Sequence, residues 1–223
     1  VWRKKNMMLI YLLFAFACNA TVKMPAFFGD DMVLQTNSEY GARAFLNGFA
    51  DPAEPVSVAV AKAVYNTQAD ENGHWQVQFL MQSGSSVTIK VTGNDGKAVV
   101  AERVMGGDVF FCSGQSNMVF PMSLALNATA EIADAANWPQ FRLFTVPLST
   151  ATSEQKDINM TAAQPGQGKW VLSSPTTVKD FSAVCYFAVR TIAALHTRDR
   201  PMGLIQSAWG GTRIEAWMST QAL

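Results

Sequence analysis

The sequence predicts an α/β fold in which a β-sandwich module precedes an α/β domain. Three observations support this prediction. Apolar and polar residues alternate over short segments of the first half, a continuous apolar run follows at 108–112, and a helical pattern separates that run from a second apolar segment. Alternation marks half-buried strands, whereas strands buried on both faces are apolar throughout. We expect residues 21–105 to form the first module and residues 106–223 to belong to the second.

The first twenty residues have the composition of a secretory signal peptide. Arg3, Lys4 and Lys5 precede an apolar run at 7–17, and small residues follow it. This order is typical of a secretory signal, and the run is shorter than the roughly 20 residues that span a membrane. The alternative is a buried first strand or helix. We expect residues 1–20 to be a signal peptide, with no integral membrane span. The protein would be exported: periplasmic or secreted in a bacterium, lysosomal or extracellular in a eukaryote.

Short strands separated by turns account for the first module. Sequences rich in turn-forming residues, such as DENG at 70–73 and GNDGK at 93–97, separate the alternating segments. The apolar positions of these segments are Val56, Val58 and Val60, then Trp75, Val77 and Phe79, then Val87, Ile89 and Val91. Short strands with a turn about every ten residues favour an antiparallel sandwich. Nothing in this half indicates catalysis, so we expect a supporting or binding module.

A strand, a helix and a second strand account for the second module. The run DVFFC at 108–112 follows two glycines, and MGLIQSAW at 202–209 is the second apolar strand. Between them, the segment 180–201 has helical spacing, and 121–175 is expected to be mixed helix and loop. The apolar face predicted for the helix contains Phe181, Val184, Cys185, Ala188, Ile192 and Leu195. This order fits a βαβ unit, whose ligands bind at the carboxyl ends of the strands.

The overall composition excludes several classes of partner. Seventeen Lys and Arg residues balance seventeen Asp and Glu residues, which argues against a nucleic-acid partner. No phosphate-loop, zinc or calcium pattern is present, so no metal or cofactor is expected. Beyond the signal, the cysteines are Cys112 and Cys185. Two thiols in an oxidising compartment can form a disulfide, but two separate buried thiols are an equal alternative.

Ser116 follows the first strand of the predicted βαβ unit, in the sequence CSGQSNM. A serine there becomes a nucleophile only when a base accepts its proton. The Gly-x-Ser-x-Gly pattern is not met, because Met118 occupies the second glycine position, and spacing alone favours an unreactive loop. The second strand also ends in small residues, including Gly210 and Gly211, whose backbone amides can stabilise an oxyanion. The two strand ends together suggest half of an esterase site.

Four segments of the sequence resemble the sialate O-acetylesterase family of the SGNH-type hydrolase superfamily. They are MPAFFGDDMVLQ at 24–35, GDVFFCSGQSNM at 107–118, SPTTVKDFSAVCYFAVR at 174–190 and GLIQSAWGGTRIEAW at 203–217. The resemblance extends from about residue 24 to the last residue. It implies an SGNH-type α/β/α domain after the β-sandwich module. It also implies an esterase that removes O-acetyl groups from sialic acids without metal or cofactor.

Carried over by position, Ser116 matches the family's nucleophile. Its own amide and that of Gly210 or Gly211 would form the oxyanion hole, with the choice between the glycines left open. Gln115 and Asn117 are expected to shape the turn, and Glu215 and Trp217 to have packing or supporting roles. Two alternatives remain: an acetylesterase for another acetylated sugar such as xylan, or a non-catalytic carbohydrate-binding fragment.

The catalytic base is the part of the family pattern that this sequence lacks. The family's histidine and aspartate occur late, in an Asp-x-x-His block, and nothing here matches that block. The two histidines are His74, in a predicted strand, and His196, near the end of the predicted helix. Neither position suggests a catalytic base. We therefore expect a truncated chain, with an α/β domain incomplete at its C-terminus, and a very poor esterase as it stands.

Overall fold

A computed structural model describes residues 22–36, 43–196, 199–219 and 221–222. The predicted signal peptide lies outside these residues. The strands are β1 (Val33–Gln35), β2 (Arg43–Phe49), β3 (Pro55–Val60), β4 (Ala63–Gln68), β5 (His74–Leu80), β6 (Ser86–Thr92), β7 (Ala98–Gly114), β8 (Phe141–Thr145), β9 (Trp170–Leu172) and β10 (Met202–Ala208). The α-helices are α1 (Ser116–Val119), α2 (Ala128–Asp134), α3 (Pro175–Val178) and α4 (Ala183–His196). Short 3-10 helices occur at Met122–Leu124, Ala135–Asn137, Met160–Ala162 and Ile214–Trp217. Within the described ranges, no helix is both long and apolar enough to cross a membrane.

The fold is a mixed α/β fold built on one large central sheet. Its strand order is β4-β3-β6-β7-β10-β8-β9, and β1 pairs with β7 outside that path. Strands β2 and β5 form a separate antiparallel pair. Their inward side chains share one core with those of β3, β6 and β7. The alternation predicted for β3, β5 and β6 is confirmed, since Val58, Trp75 and Ile89 are all buried.

Strand β7 takes part in both the antiparallel and the parallel portions of the central sheet. It is 17 residues long. Residues 98–105 pair antiparallel with β6, and residues 108–114 pair parallel with β10. Gly106 and Gly107 lie where the pairing changes, and a side chain on Gly107 would overlap with the carbonyl of Pro201. The predicted module boundary between residues 105 and 106 falls inside this strand, and a division of the chain there stays a prediction.

A polar cluster fixes β7 at the point where its partner changes. Asp108 accepts hydrogen bonds from Nε and Nη2 of Arg200, at 2.6 and 2.9 Å. The same Nη2 donates to the carbonyl oxygen of Thr36 at 2.9 Å. Gln35 donates to Asp108 and accepts from the amide of Val109, at 3.2 and 2.7 Å. These contacts join β1, β7 and the segment before β10, and a two-pronged Arg–carboxylate pair has a fixed geometry.

The predicted parallel pairing of β7 with β10, with α4 between them in the chain, is confirmed, but β8 and β9 also lie between β7 and α4. Cys112 of β7 and Cys185 of α4 form a disulfide. The sequence left open whether these two cysteines pair or remain separate buried thiols, and the structure shows that they pair. The hydroxyl of Ser182 accepts a hydrogen bond from the amide of Cys185 at 3.1 Å, as expected of a residue that caps a helix start.

The predicted apolar face of α4 is partly wrong. Phe181 and Cys185 are buried, but the other four predicted residues, Val184, Ala188, Ile192 and Leu195, are exposed. The residues that pack inward instead are Tyr186, Val189 and Ala193. The helix is apolar around most of its circumference, so spacing could not determine its rotation. The disulfide at Cys185 and a 3.0 Å hydrogen bond between the hydroxyls of Tyr186 and Ser173 hold the observed rotation.

The region 121–175, predicted as helix and loop, also contains two strands. β8 extends the sheet beyond β10 in parallel, and β9 pairs antiparallel with β8. Four consecutive residues of β8, from Phe141 to Phe144, are buried. Pro139 and Pro147 lie on either side of β8. Prolines are typical of irregular structure, so they hid the buried strand between them.

The disulfide gives the first testable prediction. We expect the Cys112→Ser/Cys185→Ser variant to lose about 2–4 kcal/mol of unfolding free energy, because the bridge restricts the unfolded chain over a separation of 73 residues. Urea denaturation measures this loss; dithiothreitol should destabilise the wild-type chain by a similar amount and should not affect the double variant. Modification of both Cys112 and Cys185 by iodoacetamide in denaturant without reductant would contradict the assignment.

Candidate active site

Ser116 lies at the turn that follows the carboxyl end of β7. Gly114, the last residue of the strand, has φ +146°, which favours glycine. A side chain there would also approach Cβ of Met118, at 3.4 Å. Ser116 is the first residue of the single-turn helix α1, whose amide at Val119 donates to the carbonyl of Gln115 at 2.9 Å. The turn leaves Ser116 exposed at the edge of the sheet.

Parallel pairing brings the end of β10 beside this turn. Ala208 is the partner of Gly114, and the amide of Trp209 donates to the carbonyl of Gly114 at 3.0 Å. The next residue is Gly210, and a Cβ atom built on it would lie 3.6 Å from Oγ of Ser116. Gly211 has φ +79°, and nothing lies within 4 Å of its corresponding position. Of the two predicted glycines, the structure places Gly210 against the serine.

Gln115 makes direct contact with the candidate nucleophile. Its side-chain oxygen accepts hydrogen bonds from Oγ of Ser116 at 2.8 Å and from the amide of Ser116 at 3.3 Å. The sequence suggested a turn-shaping role for Gln115, and this contact adds control of the serine side chain. An amide oxygen is an acceptor but not an effective base at neutral pH, so Gln115 orients the hydroxyl without activating it.

No described imidazole or carboxylate is hydrogen bonded to Ser116. His74 is in β5, where its ring packs edge-on against Phe49 with centroids 5.2 Å apart. His196 is the last residue of α4. The described part of the chain also holds no cluster of three or more His, Cys, Asp or Glu residues suited to a metal ion. The described site therefore contains a serine and a neighbouring glycine without a visible base.

The serine lines a shallow depression of about 470 Å³. Its lining residues are uncharged: Gly114, Gln115, Ser116, Asn117, Met118 and Val184. Val184 supplies an apolar side chain from α4. This exposed position, which the sequence assigned to the buried face of the helix, borders the site. The depression thus combines amide groups, a hydroxyl and apolar surface, with no charged side chain in its lining.

Gln206, which the sequence analysis did not identify, has a buried side-chain amide that is connected to the lining of the depression through Ser182. Gln206 of β10 is 6% exposed. Its side-chain oxygen accepts a 2.7 Å hydrogen bond from the amide of Ser182, just before α4. The hydroxyl of Ser182 in turn contacts the sulfur of Met118 at 3.5 Å. The glutamine within the largely apolar strand β10 was the available signal, since a buried amide requires a hydrogen-bond partner.

The chain beyond the glycine pair folds back onto the end of β10. Thr212 donates to the carbonyl of Trp209 at 2.8 Å, and Nε1 of Trp217 donates to the Thr212 hydroxyl at 2.8 Å. These contacts fit the supporting role expected for Trp217. Glu215 is exposed, and no described residue forms a hydrogen bond or ion pair with its carboxylate.

These features define a mixed α/β protein with a serine at the end of a central strand, similar in fold to a carbohydrate acetylesterase. Residues 106–223 match the family model described as carbohydrate esterase, sialic acid-specific acetylesterase, and the chain belongs to this family.

Relatives and a solved structure agree with this assignment. The chain is 31% identical over 218 residues to the sialate O-acetylesterase of Homo sapiens, covering 90% of the chain and 39% of that protein. It is 30% identical over 205 residues to that of Mus musculus, covering 86% and 36%. A crystal structure of a carbohydrate acetylesterase from Xanthomonas citri superposes with a TM-score of 0.77 at 28% identity, covering 90% of this chain and 43% of that one. The chain therefore spans less than half the length of each of these relatives.

The two glycines are expected to respond differently to alanine. Gly211→Ala should lose at least about 1 kcal/mol of unfolding free energy, because its φ of +79° strains any residue with a Cβ atom. Gly210→Ala should stay within about 0.5 kcal/mol, since its nearest contact is of ordinary length. Gly210→Ala should nevertheless slow the reaction of Ser116 with p-nitrophenyl acetate about tenfold or more, because the added methyl group occupies space beside Oγ of Ser116. Urea denaturation and p-nitrophenol release measure the two effects, and equal effects of both variants would contradict this assignment.

Proposed function

We propose that this chain carries the nucleophile and the oxyanion-stabilising part of an esterase that removes O-acetyl groups from sialic acids. The observation that carries the proposal is the position of Gly210 against Oγ of Ser116, at the shared edge of β7 and β10. Family membership and the sialate O-acetylesterase relatives support the choice of ester. In this proposal, residues 1–20 are a signal peptide, residues 21–105 a β-sandwich module, and residues 106–223 the N-terminal part of an SGNH-type domain.

The chemistry follows from the serine and the adjacent amides. Oγ of Ser116 attacks the acetyl carbonyl while a base accepts its proton, and the amides of Ser116 and Gly210 receive the developing oxyanion. Gly210 is preferred over Gly211 because a Cβ atom built on Gly210 would lie 3.6 Å from Oγ of Ser116, whereas nothing lies within 4 Å of the same position on Gly211. The base then returns the proton to the departing sugar oxygen, which leaves an acetyl-serine. Water, activated by the same base, releases acetate and restores Ser116.

Gln115 acts as a positioning residue in this scheme. Its oxygen accepts the hydrogen bond of the resting hydroxyl at 2.8 Å, which restricts Oγ to one orientation. That hydrogen bond must be released when a base accepts the proton. Without a base to accept its proton, the Ser116 hydroxyl is only a weak nucleophile. The activity of this chain by itself is therefore expected to be slow.

A second candidate substrate is an acetyl ester of a neutral sugar such as xylan. The lining of the serine depression contains no Lys or Arg that would pair with the carboxylate of a sialic acid. The neighbour from Xanthomonas citri is described as a carbohydrate acetylesterase, which is a broader term. This candidate uses the same serine and glycine and differs only in the sugar that carries the acetyl group.

Export of the protein is part of the same proposal. The disulfide between Cys112 and Cys185 supports it, because disulfides persist in oxidising compartments. Periplasmic or secreted placement in a bacterium, or lysosomal or extracellular placement in a eukaryote, would meet this condition.

Acetate release tests the function. We expect the 223-residue chain to release acetate slowly from 9-O-acetyl-N-acetylneuraminic acid and more slowly still from acetylated xylan. Ser116→Ala should reduce release to the buffer rate. Ser113→Ala is the matched control and should keep the rate, since that exposed serine lies in the same strand end without contacting Gly210.

Two outcomes would change the proposal. Acetate release that persists in Ser116→Ala would contradict the assignment of the nucleophile. Faster release from acetylated xylan than from the sialic acid ester would transfer the function to the second candidate.

A further inference from the structure

A second cavity among the described residues lies in the antiparallel half of the protein, away from the serine depression. It has a volume of about 830 Å³ and shares no lining residue with the site at Ser116. This volume falls within the ~300–1,000 Å³ typical of small-molecule sites. One wall is the outer face of β2 and β5, and the segment containing Pro25 and Phe27 also lines the cavity.

Amide side chains on the strand wall are free to bind a ligand. Asn47 and Gln76 are paired directly across β2 and β5, so their side chains project from the same face. Both are exposed, and no described residue forms a hydrogen bond with either side-chain amide. Each amide offers an acceptor oxygen and two donor hydrogens. The pair therefore offers both kinds of hydrogen-bonding group side by side.

Asp70 adds an oriented acceptor to the same lining. Its Oδ1 accepts hydrogen bonds from the amides of Asn72 and His74, both at 2.8 Å. The hydrogen bond from the His74 amide is the main cause of a lowered pKa of Asp70. The carboxylate is thus held in place and ionised, and its Oδ2 has no hydrogen-bond partner among the described residues. Lys156 in the lining carries the opposite charge, so these two groups cancel.

Apolar surface faces the same space and is rigidly held. The rings of Phe49 and His74 pack edge-on, with centroids 5.2 Å apart. The carbonyl of Phe27 accepts a hydrogen bond from Nε1 of Trp170 at 2.8 Å, and the amide of Ala26 donates to Asp157 at 2.9 Å. These contacts tie the segment that contains Phe27 to the second half of the protein.

The strand wall itself depends on Gly48. A side chain at this position would overlap with the carbonyl of Lys23 and with the indole of Trp75. That indole is 2% exposed, and its Nε1 donates to the carbonyl of Phe49 at 3.1 Å. The backbone of the wall is therefore fixed before any ligand arrives, which lowers the entropic cost of binding.

We propose that this cavity is a second, non-catalytic binding site for a neutral oligosaccharide. Sugar rings have hydroxyl groups around their edges and C–H groups on their faces. The cavity offers amide and carboxylate groups for the hydroxyls, and aromatic rings for the C–H faces. The balance of one carboxylate and one ammonium group favours an uncharged ligand over an anionic one. The site does not depend on the esterase proposal, because it contains none of the residues around Ser116.

Binding of unacetylated glycans to the whole chain tests this inference. The probes are xylohexaose, cellohexaose and a trimer of N-acetyllactosamine. Isothermal titration calorimetry measures the affinity of the chain for each. We expect at least one probe to bind, and the Asn47→Ala/Gln76→Ala variant to bind it about tenfold or more weakly, because two hydrogen-bonding side chains are lost. Gln78→Ala is the matched control: this glutamine lies on the same face of β5 but outside the cavity lining. It should keep the wild-type affinity, as should Ser116→Ala.

Each contrary result overturns the inference. Failure of all three probes to bind the wild-type chain would exclude the proposed ligand class. Unchanged affinity in the Asn47→Ala/Gln76→Ala variant, or loss of affinity in Ser116→Ala, would place the glycan elsewhere. An equal loss in Gln78→Ala would indicate a general effect on the sheet. Because the probes carry no ester, their binding tests this site separately from the proposed esterase activity, and a failure of acetate release would not affect it.

Discussion

The parallel pairing of β7 with β10 is the constraint on which the candidate site depends. With Ala208 opposite Gly114, both strands end at the same edge, and the chain that leaves each one reaches the same place. Ser116 and Gly210 are neighbours for this reason, although 94 residues separate them in the sequence (210 − 116). A shift of the pairing by one residue would turn alternate side chains to opposite faces and separate the two. The antiparallel strands share this constraint, because β7 also pairs with β6.

Polar contacts in an apolar sheet hold this register from both ends. Asp108, where the parallel portion of β7 begins, and Arg200, just before β10, form a partly buried, two-pronged ion pair. At the other end, the disulfide anchors α4 to β7, and Gln206 binds the backbone just before that helix. Apolar packing alone tolerates several arrangements, whereas buried hydrogen bonds are costly to leave unmade. These polar groups therefore favour one alignment of the strand ends that carry the site.

Local sequence pattern predicted several of the elements but missed β8 and β9, and tertiary contacts decided the rotation and register of the predicted ones. Alternation correctly located β3, β5 and β6, and the strand–helix–strand order was confirmed for β7, α4 and β10. The rotation of α4 could not be predicted, since the helix is apolar on several sides and one disulfide and one buried tyrosine determine it. The sequence indicated Ser116 and the glycine pair. It could not show which glycine lies beside the serine, because that depends on strand register. It also could not show that Gln115 holds the hydroxyl, because that depends on the local geometry of the turn after β7.

We propose that Ser116, placed against Gly210, receives the acetyl group. The most direct test is to expose the chain to p-nitrophenyl acetate, quench the reaction in acid and locate the acetyl group by mass spectrometry of the peptides. We expect an acetyl ester on Ser116 and none on Ser113, which lies three residues earlier at the end of β7. An unmodified Ser116 beside acetylated Ser113, or equal acetylation of both serines, would contradict it.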